Sequence, residues 1–169
     1  MGHDVTTTAA DTKTMSIRNM LLPDFAATES LARRLAPLLR SGDIIALGGD
    51  LGAGKTAFSR ALICTLNGAD TEVPSPTFTL VQIYELPEFD LWHFDLYRLE
   101  AAQDALELDI EDAFATSVSL IEWPERLGPY LPTNRLDIRF SFADTATARY
   151  LQIQGGNDWV SRLESLNDG

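Results

Sequence analysis

Gly49-Asp-Leu-Gly-Ala-Gly-Lys-Thr56 has the glycines, lysine and hydroxyl of a phosphate-binding loop at the required spacing. The run before it, Asp43-Ile-Ile-Ala-Leu47, reads as a short buried strand, and Lys55 to Leu66 reads as a helix. Strand, glycine-rich turn and helix form the context in which this spacing carries chemistry. Glycines let consecutive N–H groups curl around a phosphate, and the helix adds the positive end of its dipole. Asp50, Leu51, Gly52, Ala53, Gly54, Lys55, Thr56 and Ala57 are the candidate nucleotide contacts. Lys55 can reach β- and γ-phosphates, and the Thr56 hydroxyl is placed to ligate Mg²⁺. Glycine-rich turns also occur for packing alone, but here every specified position is filled and both flanks have the right type.

Outward from the loop, Ser16 to Leu22 reads as a first strand and Asp24 as an N-cap. The helix that follows, to about Arg40, places Ala27, Leu31, Leu35 and Leu38 on one face, with a kink or restart at Pro37. The loop helix is expected to end near Asn67-Gly68. Val73-Pro-Ser-Pro-Thr-Phe78 should be extended and stiff, leading into a strand over Thr79 to Glu85. A turn at Leu86-Pro87 and the run Leu91-Trp-His-Phe94, ending in Asp95, complete a hairpin.

Ala101 to Phe114 is acidic and helical, with Ala105, Leu108 and Ala113 inward. Val118 to Ile121 is another short strand, closed by Glu122-Trp123-Pro124. Leu136, Ile138, Phe140 and Phe142 alternate with Asp137, Arg139 and Ser141, the pattern of a half-buried antiparallel strand. Arg149 to Gln154 returns after a turn, and Asn157 is placed to cap a terminal helix carrying Trp159 and Leu163. The expected fold is α/β: a P-loop NTPase-like three-layer domain with a mixed parallel and antiparallel central sheet, its site at the carboxyl ends of the strands.

Length and composition set the frame. The 169 residues suit one domain, over 16–169, with 1–15 as a disordered tail rich in Thr, Ala and Asp. That tail has neither the basic start nor the apolar stretch of a secretory signal. No run approaches the roughly 18 apolar residues that span a membrane. A lone cysteine, Cys64, excludes an intramolecular disulfide and fits a reducing cytoplasm; among Ala61, Leu62 and Leu66 it reads as buried and structural. With 13 Lys+Arg against 25 Asp+Glu, the net charge of −12 argues against autonomous nucleic-acid binding, which rests on phosphate neutralisation. Two histidines and one cysteine offer no zinc spacing.

Hydrolysis needs an acidic partner for the metal and a group that orients water. Asp95, at the end of an apolar strand, is the Walker-B-like candidate, against a plainer reading as a turn cap; Asp90 starts the same stretch, at the wrong end. Glu122 closes Ser119-Leu-Ile-Glu122 and could coordinate Mg²⁺, polarise the attacking water, or simply be solvated. Thr77, in the stiff segment, could sense the γ-phosphate as switch segments do. His93 reads as a packed, hydrogen-bonded core residue.

Gly49 to Thr56, Ser75-Pro-Thr-Phe78, His93-Phe-Asp-Leu-Tyr-Arg98 and Ile121-Glu-Trp-Pro124 occur in the order and spacing of the TsaE (YjeE) family, and the chain resembles it from about Leu22 to Gln154. The resemblance implies a bacterial Mg²⁺-dependent ATPase that supports N6-threonylcarbamoyladenosine (t6A) modification of tRNA. Its partners would be TsaB and TsaD, with tRNA reached only indirectly through them. It implies that Lys55 and Thr56 serve phosphate and magnesium, and it matches Asp95 to the family's aspartate in the HxDxYR stretch, Glu122 to its metal-linked glutamate and Thr77 to the threonine of its SPTF segment. It also implies that Trp123 lies beside the active site, and it aligns Thr28, and more weakly Arg149, with residues near the nucleotide. Ala57, where many relatives carry a second Thr or Ser, and Asp109, where glycine is common, depart from the family pattern.

Three rivals share the loop. A GTPase would use Asn134-Arg-Leu-Asp137 as a guanine motif, but Arg replaces Lys and no D-x-x-G follows Asp95. A small-molecule kinase needs a basic lid, and no Arg-rich segment is seen. A nucleotide sensor would bind without hydrolysis.

Overall fold

The computed structural model describes residues 16–167. The tail over 1–15, with His3, lies outside the described residues. In chain order the elements begin with β1 (Ser16–Leu22), α1 (Phe25–Leu35), β2 (Ile44–Gly49), α2 (Lys55–Asn67), β3 (Val81–Glu85) and β4 (Asp90–Asp95). There follow α3 (Ile110–Thr116), β5 (Val118–Glu122), β6 (Leu136–Phe142), β7 (Arg149–Gly155) and α4 (Asn157–Glu164). Short 3-10 segments occupy Ala36–Leu38, Ala102–Leu108, Pro124–Tyr130 and Ser165–Asn167.

The strands form one seven-stranded sheet in the order β1-β7-β6-β2-β5-β4-β3. β2 runs parallel to both β5 and β6, and β4 parallel to β5; the two edges are antiparallel. This is the mixed α/β sheet expected. Alternation along the central strands builds two cores. Ile45 and Leu47 face a cluster with Leu31 and Leu35 of α1, Phe58 and Leu62 of α2, and Trp159 and Leu163 of α4. Ile44, Phe94 and Ile121 face the other side, packing on Ala105, Ile110, Ala113 and Leu127. Helices on both faces make three layers.

Local signals place most boundaries. The Asp24 carboxylate accepts from Ala27 N at 3.0 Å, capping α1. Pro37 ends that helix's regular hydrogen bonding in the 3-10 turn Ala36–Leu38. Gly68, at φ 106°, terminates α2 with its N–H on Cys64 O. Cys64 is half-buried.

Four expectations are corrected. The acidic stretch Ala101 to Phe114 is not one helix: Asp109 adopts the left-handed conformation (φ 58°), separating a 3-10 segment from α3. The extended segment reaches only to Ser75, and Pro76 to Thr79 form a turn closed by Leu80 N donating to Pro76 O at 2.6 Å. β6 is antiparallel only to β7; its other neighbour β2 is parallel, and Phe142 projects past the core, 53% exposed. The residue capping α4 is Gly156, so Asn157 is its first helical residue. Among the described residues, no helix is long and apolar enough to cross a membrane.

Candidate active site

Leu47 of β2 is register-paired with Glu122 of β5, and Glu122 with Asp95 of β4. Two carboxylates therefore stand side by side at the strand ends, two residues from the glycine that opens the loop. Gly49 has φ 127°, and a Cβ there would overlap the Phe140 carbonyl oxygen, so only glycine lets β2 leave the sheet this way. Gly54, at φ 121°, starts α2. The first N–H groups of such a helix have no intrahelical acceptor and point to the loop's concavity, which suits an anion.

A cavity of about 360 Å³ opens there. It is lined by Leu51, Gly52 and Gly54 of the loop, Lys55, Thr56 and Ala57 of α2, and Ser75, Thr77, Asp95, Glu122 and Trp123. The Thr56 hydroxyl donates to Glu122 Oε1 at 2.7 Å, and His93 Nε2 lies 2.6 Å from Glu122 Oε2. The Thr77 hydroxyl donates to Asp95 Oδ2 at 2.9 Å, so its proton is committed and Ser75 Oγ, 2.8 Å away, donates to Thr77. Asp95 Oδ1 accepts from Tyr97 N at 3.1 Å.

Lys55 is 4% exposed. Its ammonium donates to Gly49 O and sits 3.4 Å from the centre of the Trp123 ring. Burial pulls its pKa below the ordinary lysine value, partly opposed by Glu122, Glu125, Asp95 and Asp50. Trp123 reaches it from a left-handed conformation, φ 60°, just before Pro124, and packs on Tyr97. The oxygen donors, one hydroxyl and two carboxylates, are the hard ligands that Mg²⁺ takes alongside phosphate oxygens and water. Among the described residues no group of three or more His, Cys, Asp or Glu side chains is arranged to hold a metal ion.

Three sequence-selected residues do not line this cavity. Thr28 is buried in α1, Ala53 packs inward, and Asp50 is exposed, its carbonyl accepting from Ala53 N. Asp137 of the guanine-like tetrad faces a separate cavity of about 300 Å³ and is ion-paired with Arg135 at 2.9 Å. Sequence reasoning missed the tie between His93 and Glu122. The available signal was period two: His93 and Asp95 share one face of β4. Arg149, which the resemblance aligned only weakly, also lies off the cavity; its Nε donates to Ala53 O at 3.0 Å.

Comparison with known proteins adds an independent line. The family described as "Threonylcarbamoyl adenosine biosynthesis protein TsaE" matches residues 22–151. The chain is 39% identical to a Rickettsia bellii protein named "tRNA threonylcarbamoyladenosine biosynthesis protein TsaE", over 69% of this chain and 81% of the relative. A Streptomyces coelicolor protein of the same name is 39% identical over 82% of this chain and 98% of its own length. Among solved structures, that of Bacillus subtilis YdiB superposes with a TM-score of 0.76 at 27% identity, covering 90% of this chain and 95% of YdiB.

Proposed function

The chain belongs to the TsaE family, and from that premise we propose that it is a Mg²⁺-dependent ATPase supporting t6A modification of tRNA. The observation that carries this reading is the convergence of Lys55, Thr56, Thr77, Asp95 and Glu122 on one cavity at the head of α2. The relatives' shared name supplies the pathway. In this reading the loop N–H groups and Lys55 bind the triphosphate, and Thr56 with Asp95 and Glu122 would hold Mg²⁺. The ion, when bound, neutralises charge developing on the phosphates. Glu122 is also placed to orient the attacking water, and Thr77 on Asp95 reports whether the γ-phosphate is present. Phosphoryl transfer is mostly positioning and electrostatics, so these contacts are what the protein must supply.

One domain over 16–169 would carry this activity in the cytoplasm, working with TsaB and TsaD. The net charge of −12 favours protein partners and leaves tRNA to them. Two measurements test the reading. Phosphate release should occur with ATP, far faster than with GTP, and without an added acceptor. TsaB and TsaD should co-purify with the protein when ATP is present. Strict dependence on an acceptor, or no association under any nucleotide condition, would refute the corresponding half.

A further inference from the structure

We propose that His93 is a positioning residue for this chemistry: its Nε2–H anchors the Glu122 carboxylate in the orientation that keeps Oε1 at Thr56. The inference rests on the ATPase reading above. His93 is fully buried, and among the described residues its ring makes one hydrogen bond, to Glu122 Oε2 at 2.6 Å. Nδ1 is buried with no partner among the described residues. A carboxylate oxygen has no proton to give, so Nε2 carries the hydrogen and donates it.

An imidazole serving only to fill the core is poorly suited to this place. Leu91 and Leu120 lie beside it on the same face of the sheet, and an apolar side chain would leave no ring nitrogen unsatisfied. What the imidazole adds is the contact to Glu122. A glutamate at a strand end has three side-chain torsions, and one hydrogen bond does not fix both carboxylate oxygens. Thr56 lines the cavity and meets whatever binds there. His93 does not line it, so its hold on Oε2 is independent of the ligand. The same strand thus carries Asp95 into the site and, two residues earlier, the support for Glu122.

The test uses the full chain with His93→Gln, His93→Asn and His93→Leu. Glutamine places an amide N–H near the ε position; asparagine places it near δ. The Gln variant should keep most of kcat for ATP hydrolysis, while Asn and Leu lose about 10- to 100-fold, the usual range for a lost support of a ligating group. Affinity for a fluorescent ADP analogue without Mg²⁺ should be unchanged in all three, and the Mg²⁺ concentration that half-saturates its binding should rise in Asn and Leu only. In a Glu122→Gln background the Leu substitution should change kcat less than about twofold, since neighbours that act through one another are not additive. Full kcat in His93→Leu, equal behaviour of Gln and Asn, or additive losses with Glu122→Gln would overturn the inference. Should the Leu variant fail to fold, the Gln and Asn pair still decides it. A wild-type protein without ATP turnover sinks the parent reading as well; normal wild-type turnover with an unaffected Mg²⁺ response in His93→Asn sinks this one alone.

Discussion

The Thr56 hydroxyl, in the first turn of α2, donates across 2.7 Å to Oε1 of Glu122, the last residue of β5. The two are 66 positions apart in the chain, and the contact joins the loop helix to the strand beside the one it leaves. It puts a hydroxyl and a carboxylate, the two groups proposed above to hold Mg²⁺, in one place. Such preorganisation is where positional catalysis gains most of its advantage.

Glu122→Gln keeps the shape of this contact, because the amide oxygen still accepts from Thr56, but removes the charge. Phosphate release is expected to fall about 100-fold or more, with ATP affinity altered only a few-fold. Asp95→Asn, which preserves the Thr77 contact in the same way, should behave similarly. Single-turnover phosphate release beside equilibrium binding separates the two quantities, and normal release in both variants would remove these carboxylates from the assignment.

Lys55 gives the site a pH dependence whose sign follows from its burial. In the free protein its pKa lies below the ordinary lysine value of 10.5, so between the two the unfolded chain holds the extra proton. Stability of the free protein should therefore rise as pH passes upward through the folded Lys55 pKa. A bound triphosphate pulls the pKa up again, so nucleotide binding takes up a proton and affinity falls as pH rises through the free-protein value. Calorimetry in buffers of different ionisation enthalpy checks the uptake. Lys55→Met should raise the Tm of the free protein and abolish the further rise that ATP gives the wild type.

Stability and binding should separate at the far end of β2. Arg162 of α4 makes two bonds to Asp43, at 2.7 and 3.1 Å, donates to Leu38 O at 3.1 Å, and lies over the Trp159 ring. Both partners are largely buried. Arg162→Ala leaves the Asp43 charge uncompensated and should cost about 3–5 kcal/mol in urea unfolding. Asp43 precedes β2 while the loop follows it, so nucleotide affinity should stay within about twofold wherever the variant is folded.

The sequence disclosed features that are local. β1, the Asp24 cap and the Gly68 stop follow from alternation and from single residues with one conformational role. Asp95 and Glu122 were legible because an acidic residue closing an apolar run stands at a strand end. The break at Asp109 was signalled only by the glycine common at that position in the family; within the acidic run nothing marks it, although aspartate is among the residues that tolerate the left-handed region. The mixed pairing of β6 depends on β2, some 90 residues earlier, and no pattern within β6 reports it. His93 was legible as a core residue but not as the support of Glu122, because that pairing needs the parallel register of β4 and β5.

Arg149 tests how much the shape of the loop matters apart from its charges. Its guanidinium donates to the carbonyls of Ala53, Ala146 and Ala148 at 3.0, 2.9 and 2.8 Å, and its flat face rests on Phe142. One of these bonds crosses 96 positions to Ala53 in the glycine-rich loop; the others fix the guanidinium to the β6–β7 turn. Arg149 does not line the cavity, so its effect must come through the orientation of Ala53. Lysine keeps the charge and loses the planar fork, so Arg149→Lys isolates the geometry. A charge-assisted bond of this kind is worth about 1.5–3 kcal/mol; with about half of that felt at the loop, nucleotide Kd should rise roughly three- to tenfold. Because the brace acts on ground state and transition state alike, kcat at saturating ATP should stay within about twofold. A variant that binds normally but turns over slowly would show that Arg149 acts on the chemistry and not on the loop.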